Sequence, residues 1–273
     1  MGGQDENYGD EIFSHDGDDG GVDTIELKRV NALAEALDPA SFTTLASVPV
    51  GRDARCLDLG TGTGSVAYWL ADRFPEGSVI GTDLDLDLVT SGERSNLQYL
   101  RHDVTCDDFP PSSFDLIHTR FLLPHLPSRD AVLERMIRWL APGGWMVLEE
   151  SALFAFESSP HDCFRRTSMG VFTVLAQRFG NDSRWPRNLP TLIAKSGLVE
   201  ASMSAFCPSI SAGSAMSTFW RLTIEQLRPS LLELPELSEA DLDTTMAHFD
   251  DPDFFDLGIP TVTLIARRPP EST

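Results

Sequence analysis

Three glycines at alternating positions, Gly60, Gly62 and Gly64, separate an apolar run from an amphipathic one in CLDLGTGTGSVAYWLADRF, residues 56–74. A tight strand-to-helix turn needs about one glycine. Three of them, with only threonine between, describe a loop whose backbone comes very close to a ligand, side chains having been removed to let it approach. The chain around this loop therefore has to provide a buried strand before it, a helix after it, and a sheet to hold both.

The rest of the sequence reads in that way. Ile25, Leu27, Val30, Leu33 and Leu37 have helical spacing, and Pro39 is expected to break the helix before about Ala46. ARCLDLG is a buried strand and SVAYWLADRF the helix after it. SVIGTDLD is a second strand, followed by a short helix around Leu86 to Gly92, then NLQYLRHDV and FDLIHTRF as third and fourth strands. DAVLERMIRWLAPGG is an amphipathic helix, and WMVLEES a fifth strand. Regular alternation with short connections implies right-handed crossovers and a doubly wound α/β sheet, mostly parallel. LPTLIAKSGL is a further helix, VEASMSAFCP a sixth strand and TVTLIARR a closing seventh. Helical segments at about 152–188 and 211–253 interrupt the rhythm. They carry too little periodicity of their own to be separate domains, so residues 24–273 are expected to form one domain, capped over the sheet's C-terminal edge.

The charge narrows the function. The chain has 21 Lys or Arg against 42 Asp or Glu, a formal net charge of −21. Nucleic-acid backbones are held by basic surfaces, so DNA and RNA are not the expected partners. No window resembles a membrane-spanning segment or a secretory signal. Met-Gly-Gly opens the sequence, but Glu6 stands where a myristoylation motif requires Ser or Thr. Cys56, Cys106, Cys163 and Cys207 follow no metal-ligand spacing and read as free thiols of a reducing, cytoplasmic compartment. Residues 1–26 hold nine Asp or Glu and no Lys or Arg. An acidic arm over residues 1–23 is expected, mobile alone and ordered over bound ligand.

A dinucleotide loop would place its third glycine one position later, to seat a pyrophosphate. LDLGTGTG, followed by Asp83 at the end of the second strand, instead resembles the first two motifs of the class I S-adenosylmethionine-dependent methyltransferases. RHDV, FDLIHTRFLLPHL and LAPGGWMVLEE extend the likeness in order over residues 24–150. The resemblance implies a Rossmann-like, seven-stranded fold with helical cap insertions, binding S-adenosylmethionine and releasing S-adenosylhomocysteine. It places Asp58 and the glycines at the loop and methionine ammonium. Asp83, with Leu84 beside it, falls on the ribose hydroxyls, and Asp103 with the Val104 amide on the adenine, although His102 blurs that register by one. Thr119 and Arg120 fall against the methionine half. Arg29, in a Glu-x-x-Arg pattern with Glu26, is a candidate for the cofactor carboxylate or a solvated helix charge.

Methyl transfer needs alignment, exclusion of water and, for a hydroxyl or protonated amine, removal of a proton. His125, just past the fourth strand, is the candidate base or a packing residue. His118 reads as buried structure. His15 and His161 lie in segments expected to fold over the pocket, and Glu149 or Glu150 at its edge. The strand-four region has no carboxylate of the metal-dependent enzymes, so no metal is expected, and it lacks the Pro-Pro-aromatic motif of nucleic-acid amino-methylating enzymes. The expected acceptor is a hydrophobic or aromatic small molecule, a secondary metabolite, beneath Phe154, Phe156, Phe164, Phe172, Trp185, Phe206, Phe219 and Trp220. A non-methylating reaction on the same cofactor, such as a cyclisation, stays open. So do a non-catalytic binding role, the acceptor atom and homodimer formation.

Overall fold

The computed structural model describes residues 24–271. The acidic arm, its ordering on ligand binding and His15 lie outside the described residues. In chain order the helices are α1 (Thr24–Ser47), α2 (Ser65–Arg73), α3 (Arg129–Trp139), α4 (Asp162–Phe179), α5 (Leu189–Ser196), α6 (Ala215–Leu231) and α7 (Glu239–His248). The strands are β1 (Arg55–Leu59), β2 (Ser78–Asp83), β3 (Leu97–Arg101), β4 (Phe114–Arg120), β5 (Leu140–Ser151), β6 (Val199–Phe206), β7 (Ser209–Ser211), β8 (Phe255–Leu257) and β9 (Thr261–Arg267). The described chain forms two compact units, a larger one of residues 37–152, 182–206 and 261–271, and a smaller one of 24–36, 153–181 and 207–260.

The larger unit carries a seven-stranded sheet in the order β3-β2-β1-β4-β5-β9-β6. β1 to β5 run parallel, and β9 is antiparallel to both of its neighbours. This is the Rossmann-like, mostly parallel seven-stranded architecture expected from the sequence. Alternation along each central strand splits the apolar residues between two layers. Cys56, Leu116, Trp145 and Val147 pack with Leu45 of α1, with Val48 just after it, and with Val66, Ala67 and Leu70 of α2. Leu57, Leu59, Ile117, Met146 and Leu148 face the other way, against Leu133, Met136 and Trp139 of α3 and Leu189 and Ile193 of α5. Burial on both faces explains why β1, β4 and β5 read as nearly continuous apolar runs.

Three local expectations are corrected. Pro39 does not end α1, which continues to Ser47. Pro39 sits inside the continuous helix, which forgoes one N–H donor there, while the following turns are held by the packing of Leu45 on the sheet. No helix forms over Leu86–Gly92. There the Asp87 amide donates to the Asp85 side chain, and the Thr90 and Ser91 amides donate to the Thr63 carbonyl, so the donors of a first helical turn are used elsewhere. The helix predicted to run through Pro-Gly-Gly stops at Trp139, and β5 begins at Leu140.

In the smaller unit, α4, α6 and α7 pack with the two-stranded β7–β8 sheet. Its core is aromatic, with Phe156 in edge contact with Phe164 and Trp220, and Phe172 against Trp220. These rings, listed by the sequence as a substrate lining, are core side chains here. Trp185 belongs to the core of the larger unit, its indole N–H donating to Asp130 at 2.8 Å. Phe154 and Phe206 stay exposed.

Gly81 shows how closely the sheet packs near its ligand-binding edge. A Cβ there would lie 2.8 Å from the Tyr99 ring and 3.1 Å from Ala67. Gly81→Ala should destabilise the protein by about 1–3 kcal/mol through overpacking. Thermal denaturation should show a melting temperature lower by several degrees.

Candidate functional site

The loop after β1 is built from left-handed backbone. Gly60, Gly62 and Gly64 have φ of 68°, 54° and 80°. Gly64 then caps α2, and a side chain on it would strike the Tyr99 hydroxyl at 2.5 Å. The loop is tied to the end of β2: the Thr61 amide donates to the Thr82 carbonyl at 2.8 Å, and the Gly62 amide to Asp83 Oδ2 at 2.8 Å. The Leu84 amide donates to Asp83 Oδ1, also at 2.8 Å. Each carboxylate oxygen thus accepts a backbone donor, and the Asp85 amide also interacts with the same carboxylate. Burial raises the Asp83 pKa above its ordinary value, and the amides of Gly62 and Leu84 offset only part of that rise.

Beneath the loop the α1/α2 face of the sheet changes from apolar to ionic. Asp58 is the partner of His118 in the β1–β4 register, and Arg120 of Glu149 in the β4–β5 register, so all four share that face. His118 Nδ1 lies 2.6 Å from Asp58 Oδ1, and its Nε2 lies 3.3 Å from Glu149 Oε2. Thr61 donates to Asp58 Oδ2 at 2.6 Å, and Ser41 of α1 to Glu149 Oε2 at 2.5 Å. Arg120 donates to Ser41 at 3.0 Å and pairs with Asp38 at 2.9 Å. Burial by itself would lower the His118 pKa, but Asp58 and Glu149 outweigh it and lift it to about 9.

Asp103 follows β3, on the strand beside Asp83, and is partly exposed. Its carboxylate accepts the Thr105 amide at 2.8 Å and hydroxyl at 2.6 Å, which shapes the turn. His102 is buried and stacked on Phe109 at 4.6 Å, whereas its neighbour Asp103 stays partly exposed. Val104 is buried, its carbonyl bonded by Arg135. Thr119 is fully buried, and its hydroxyl donates to the Leu59 carbonyl at 3.0 Å, holding β4 to β1.

Past β4 the chain turns sharply through Phe121, at φ 55°, into a 3-10 turn, Leu123–His125. Glu150 accepts the Leu122 and Leu123 amides at 3.1 and 3.2 Å, so it secures the start of the turn that presents His125. Burial pushes the Glu150 carboxyl well above its ordinary value, against the opposing effect of those amides. A pocket of about 290 Å³ lined by Val50, Asp53, Asp115 and Gly143 lies at the other end of the strands, away from these groups.

A family model described as a methyltransferase domain matches residues 28–188, more than half of the chain and the whole stretch from Asp58 to Glu150. This chain belongs to the class I S-adenosylmethionine-dependent methyltransferase family. It is similar to methyltransferase str3 of Strobilurus tenacellus, 37% identical over 129 residues, which are 46% of this chain and 45% of that protein. Trans-aconitate 2-methyltransferase of Deinococcus radiodurans is 32% identical over 107 residues, 39% of this chain and 42% of that protein. The chain spans about half the length of the curated relatives it matches. Phosphoethanolamine N-methyltransferase 2 of Haemonchus contortus, solved with phosphomonomethylethanolamine and S-adenosylhomocysteine, superposes with a TM-score of 0.58 at 17% identity, covering 89% of this chain and 57% of that one. YcgJ of Bacillus subtilis gives 0.57 at 16% identity, covering 85% and 99%. At these identities the structural likeness is one of fold.

Within this methyltransferase domain, Asp58, Gly60, Gly62, Gly64, Asp83, Leu84, Asp103, Val104, Thr119, Arg120 and His125 all sit at or just beyond the C-terminal ends of β1 to β4. Arg29 belongs to the smaller unit, paired with Glu26 at 2.5 Å and set 5.3 Å from the Phe219 ring centre. Asp38 and Ser41 were missed by sequence reasoning. Their signal was available, because they precede Leu45 at helical spacing on the face of α1 that packs on the sheet. Among the described residues no group of three or more His, Cys, Asp or Glu is arranged to hold a metal ion, and no helix is long and apolar enough to cross a membrane.

His118 gives a signed pH dependence. Its folded pKa of about 9 lies above the ordinary 6.5, so the stability it contributes is fully present below pH 6.5 and lost as the pH rises through 9. His118→Asn should lower the melting temperature at pH 6.5, with the gap to the unmodified protein narrowing by pH 10. Melting curves recorded across that range test this, and a pH-independent gap would refute it.

Proposed function

We propose that the chain transfers the methyl group of S-adenosylmethionine to a small-molecule acceptor and releases S-adenosylhomocysteine. The observation that carries this reading is the left-handed glycine loop clamped by Asp83. It presents a partly exposed carboxylate, fixed by backbone amides, whose two oxygens are spaced to meet the two hydroxyls of a ribose. Asp58 and the loop serve the amino-acid end, while Asp103 and the Val104 backbone serve the adenine. Neither end of that ligand carries a phosphate, which suits a loop with no Lys or Arg among its own residues 60–64. When bound, the cofactor supplies a methyl group already activated on a sulfonium, so the protein's tasks are alignment, desolvation and handling of the acceptor's proton.

The acceptor is read as a hydrophobic small molecule, a secondary metabolite. A net charge of −21 disfavours a nucleic-acid backbone, and Phe154 and Phe206 each remain 41% exposed while most other rings are packed away. His125 is assigned as base or orienting group for the acceptor, on a turn that Glu150 holds in place. Incubation with S-adenosylmethionine and a panel of phenols, carboxylic acids and amines, read by mass spectrometry, tests the reaction. Methylated product with stoichiometric S-adenosylhomocysteine is expected. A transformed substrate with the cofactor intact would mean a non-methylating reaction instead.

Two substitutions sharpen the assignment. Asp83→Ala removes the shared acceptor of the ribose hydroxyls and releases the Gly62 amide, a loss of about 1.5–3 kcal/mol for a charged partner. Calorimetry should show S-adenosylhomocysteine binding weaker by about tenfold or more, and unchanged binding by folded protein would remove Asp83 from the site. His125→Gln keeps a hydrogen bond but cannot accept the proton. Turnover should fall by about a hundredfold or more with cofactor affinity retained. A fall below about threefold would return His125 to a packing role.

A further inference from the structure

Asp38, Asp58, Glu149, His118 and Arg120 converge from α1, β1, β4 and β5, and Asp58, His118 and Glu149 are all buried. Arg120 has its own partner in Asp38. His118 is held between two other carboxylates, with one ring nitrogen directed at each. A neutral imidazole has a single N–H, whereas an ionised carboxylate only accepts. Both contacts are satisfied together when the ring carries two protons. The contacts then all match a donor with an acceptor: Arg120 donates to Ser41, Ser41 and His118 to Glu149, and His118 and Thr61 to Asp58. The network reaches Thr61 inside the glycine loop.

We propose that His118 is a positioning residue for the amino-acid end of the cofactor: as an imidazolium shared by Asp58 and Glu149, it keeps Asp58 ionised and oriented against Thr61, and thereby sets the glycine loop for a ligand ammonium. This rests on the cofactor reading above. With His118 charged, three carboxylates face two cations, so the cluster keeps one negative charge for a cationic ligand group to neutralise. Without the imidazolium, Asp58 and Glu149 become two buried carboxylates with no cation between them. One of them then takes up a proton or turns away, and Asp58 loses its Nδ1 donor. Other titratable groups that act on this cluster are Glu150 on β5, which interacts with His118, and Asp83 on β2 and Tyr99 on β3, which interact with Asp58.

The full chain and its His118→Asn variant are titrated calorimetrically with two probes. S-adenosylhomocysteine carries the amino-acid end, and methylthioadenosine lacks it. The unmodified protein should bind both. The variant should bind methylthioadenosine as before and S-adenosylhomocysteine about tenfold or more weaker. Equal weakening of both probes, or unchanged or tighter S-adenosylhomocysteine binding, overturns the proposal. If the unmodified protein binds neither probe, the cofactor reading itself fails. The free ligand's ammonium titrates identically in both experiments and cancels in the ratio of the two affinities, which therefore reports the effect of the substitution on the site. That ratio should shrink toward one above pH 9, and a flat ratio from pH 7 to 10 overturns the assignment. Nitrogen NMR of the unmodified protein provides a measurement independent of the variant's folding. It should show His118 as an imidazolium at pH 7.5, titrating at lower pH in Glu149→Gln, whereas a neutral ring at pH 7.5 refutes the inference.

Discussion

The amide of Gly62 bonds the carboxylate that closes the neighbouring strand, and the geometry of the ligand-binding edge depends on that contact. It requires the loop after β1 to turn back over β2, which is achieved through three left-handed residues in succession at alternating positions. Side chains at those φ values are disfavoured by about 1–2 kcal/mol each. The contact also requires β1 and β2 to lie side by side and parallel, with Asp58 level with Gly81. Parallel neighbours end on the same edge. One topological choice therefore brings Asp58, Asp83, Asp103, Arg120 and Glu149 together, although they are spread over more than ninety residues of sequence.

Strand alternation then decides what each of those ends can do. On the α1/α2 face, the sequence positions that carry Cys56, Leu116 and Val147 in the middle of the sheet carry Asp58, His118 and Glu149 two residues later. An apolar layer therefore passes into a buried ionic one within a single repeat of the pleat. Buried charges are tolerated when each has a partner. Here α1 supplies the missing ones, with Asp38 for Arg120 and the Ser41 hydroxyl for Glu149. Continuation of α1 past Pro39 is what makes this supply available, because a helix that stopped there would leave Ser41 without a fixed place.

How much of this was legible in the sequence follows from the range of the interactions. The glycine loop, Asp83 and the seven strands depend on local pattern and spacing, and they were readable. Pro39 was misread because its effect depends on whether the following turns have packing partners, and the sheet provides them, with Cys56, Leu116 and Val147 in one core with Leu45 and Val48. Leu86–Gly92 was misread as a short helix because its fold depends on a distant partner: the Thr63 carbonyl, more than twenty residues earlier, takes the amides of Thr90 and Ser91. The aromatic residues past Ser151 gave no hint of which would be core and which exposed, since composition carries no information on direction. His118 looked structural, which is true of its burial. The two carboxylates that give it a charge come from strands sixty residues before it and thirty after it, and only their register reveals the arrangement.

Glu149 and Glu150 show how far one strand can divide its work. Successive residues of a strand point to opposite faces, so these two acids, adjacent in sequence, serve separate tasks. Glu149 turns toward α1 and holds His118 and Ser41, which support Asp58 and the glycine loop. Glu150 turns to the opposite face and binds the first amides of the turn that carries His125. Their surroundings push their acidities apart: burial raises both, but His118 and Ser41 reverse this at Glu149, whereas the backbone amides at Glu150 do not. A slip of β5 by one residue would exchange the two and disable both supports. The β4–β5 and β5–β9 ladders on either side fix that register, with Arg120 opposite Glu149 and Val262 opposite Glu150. The antiparallel β9 strand, which contributes no predicted ligand contact of its own, thus helps to set the positions of groups at both the glycine loop and the turn that carries His125.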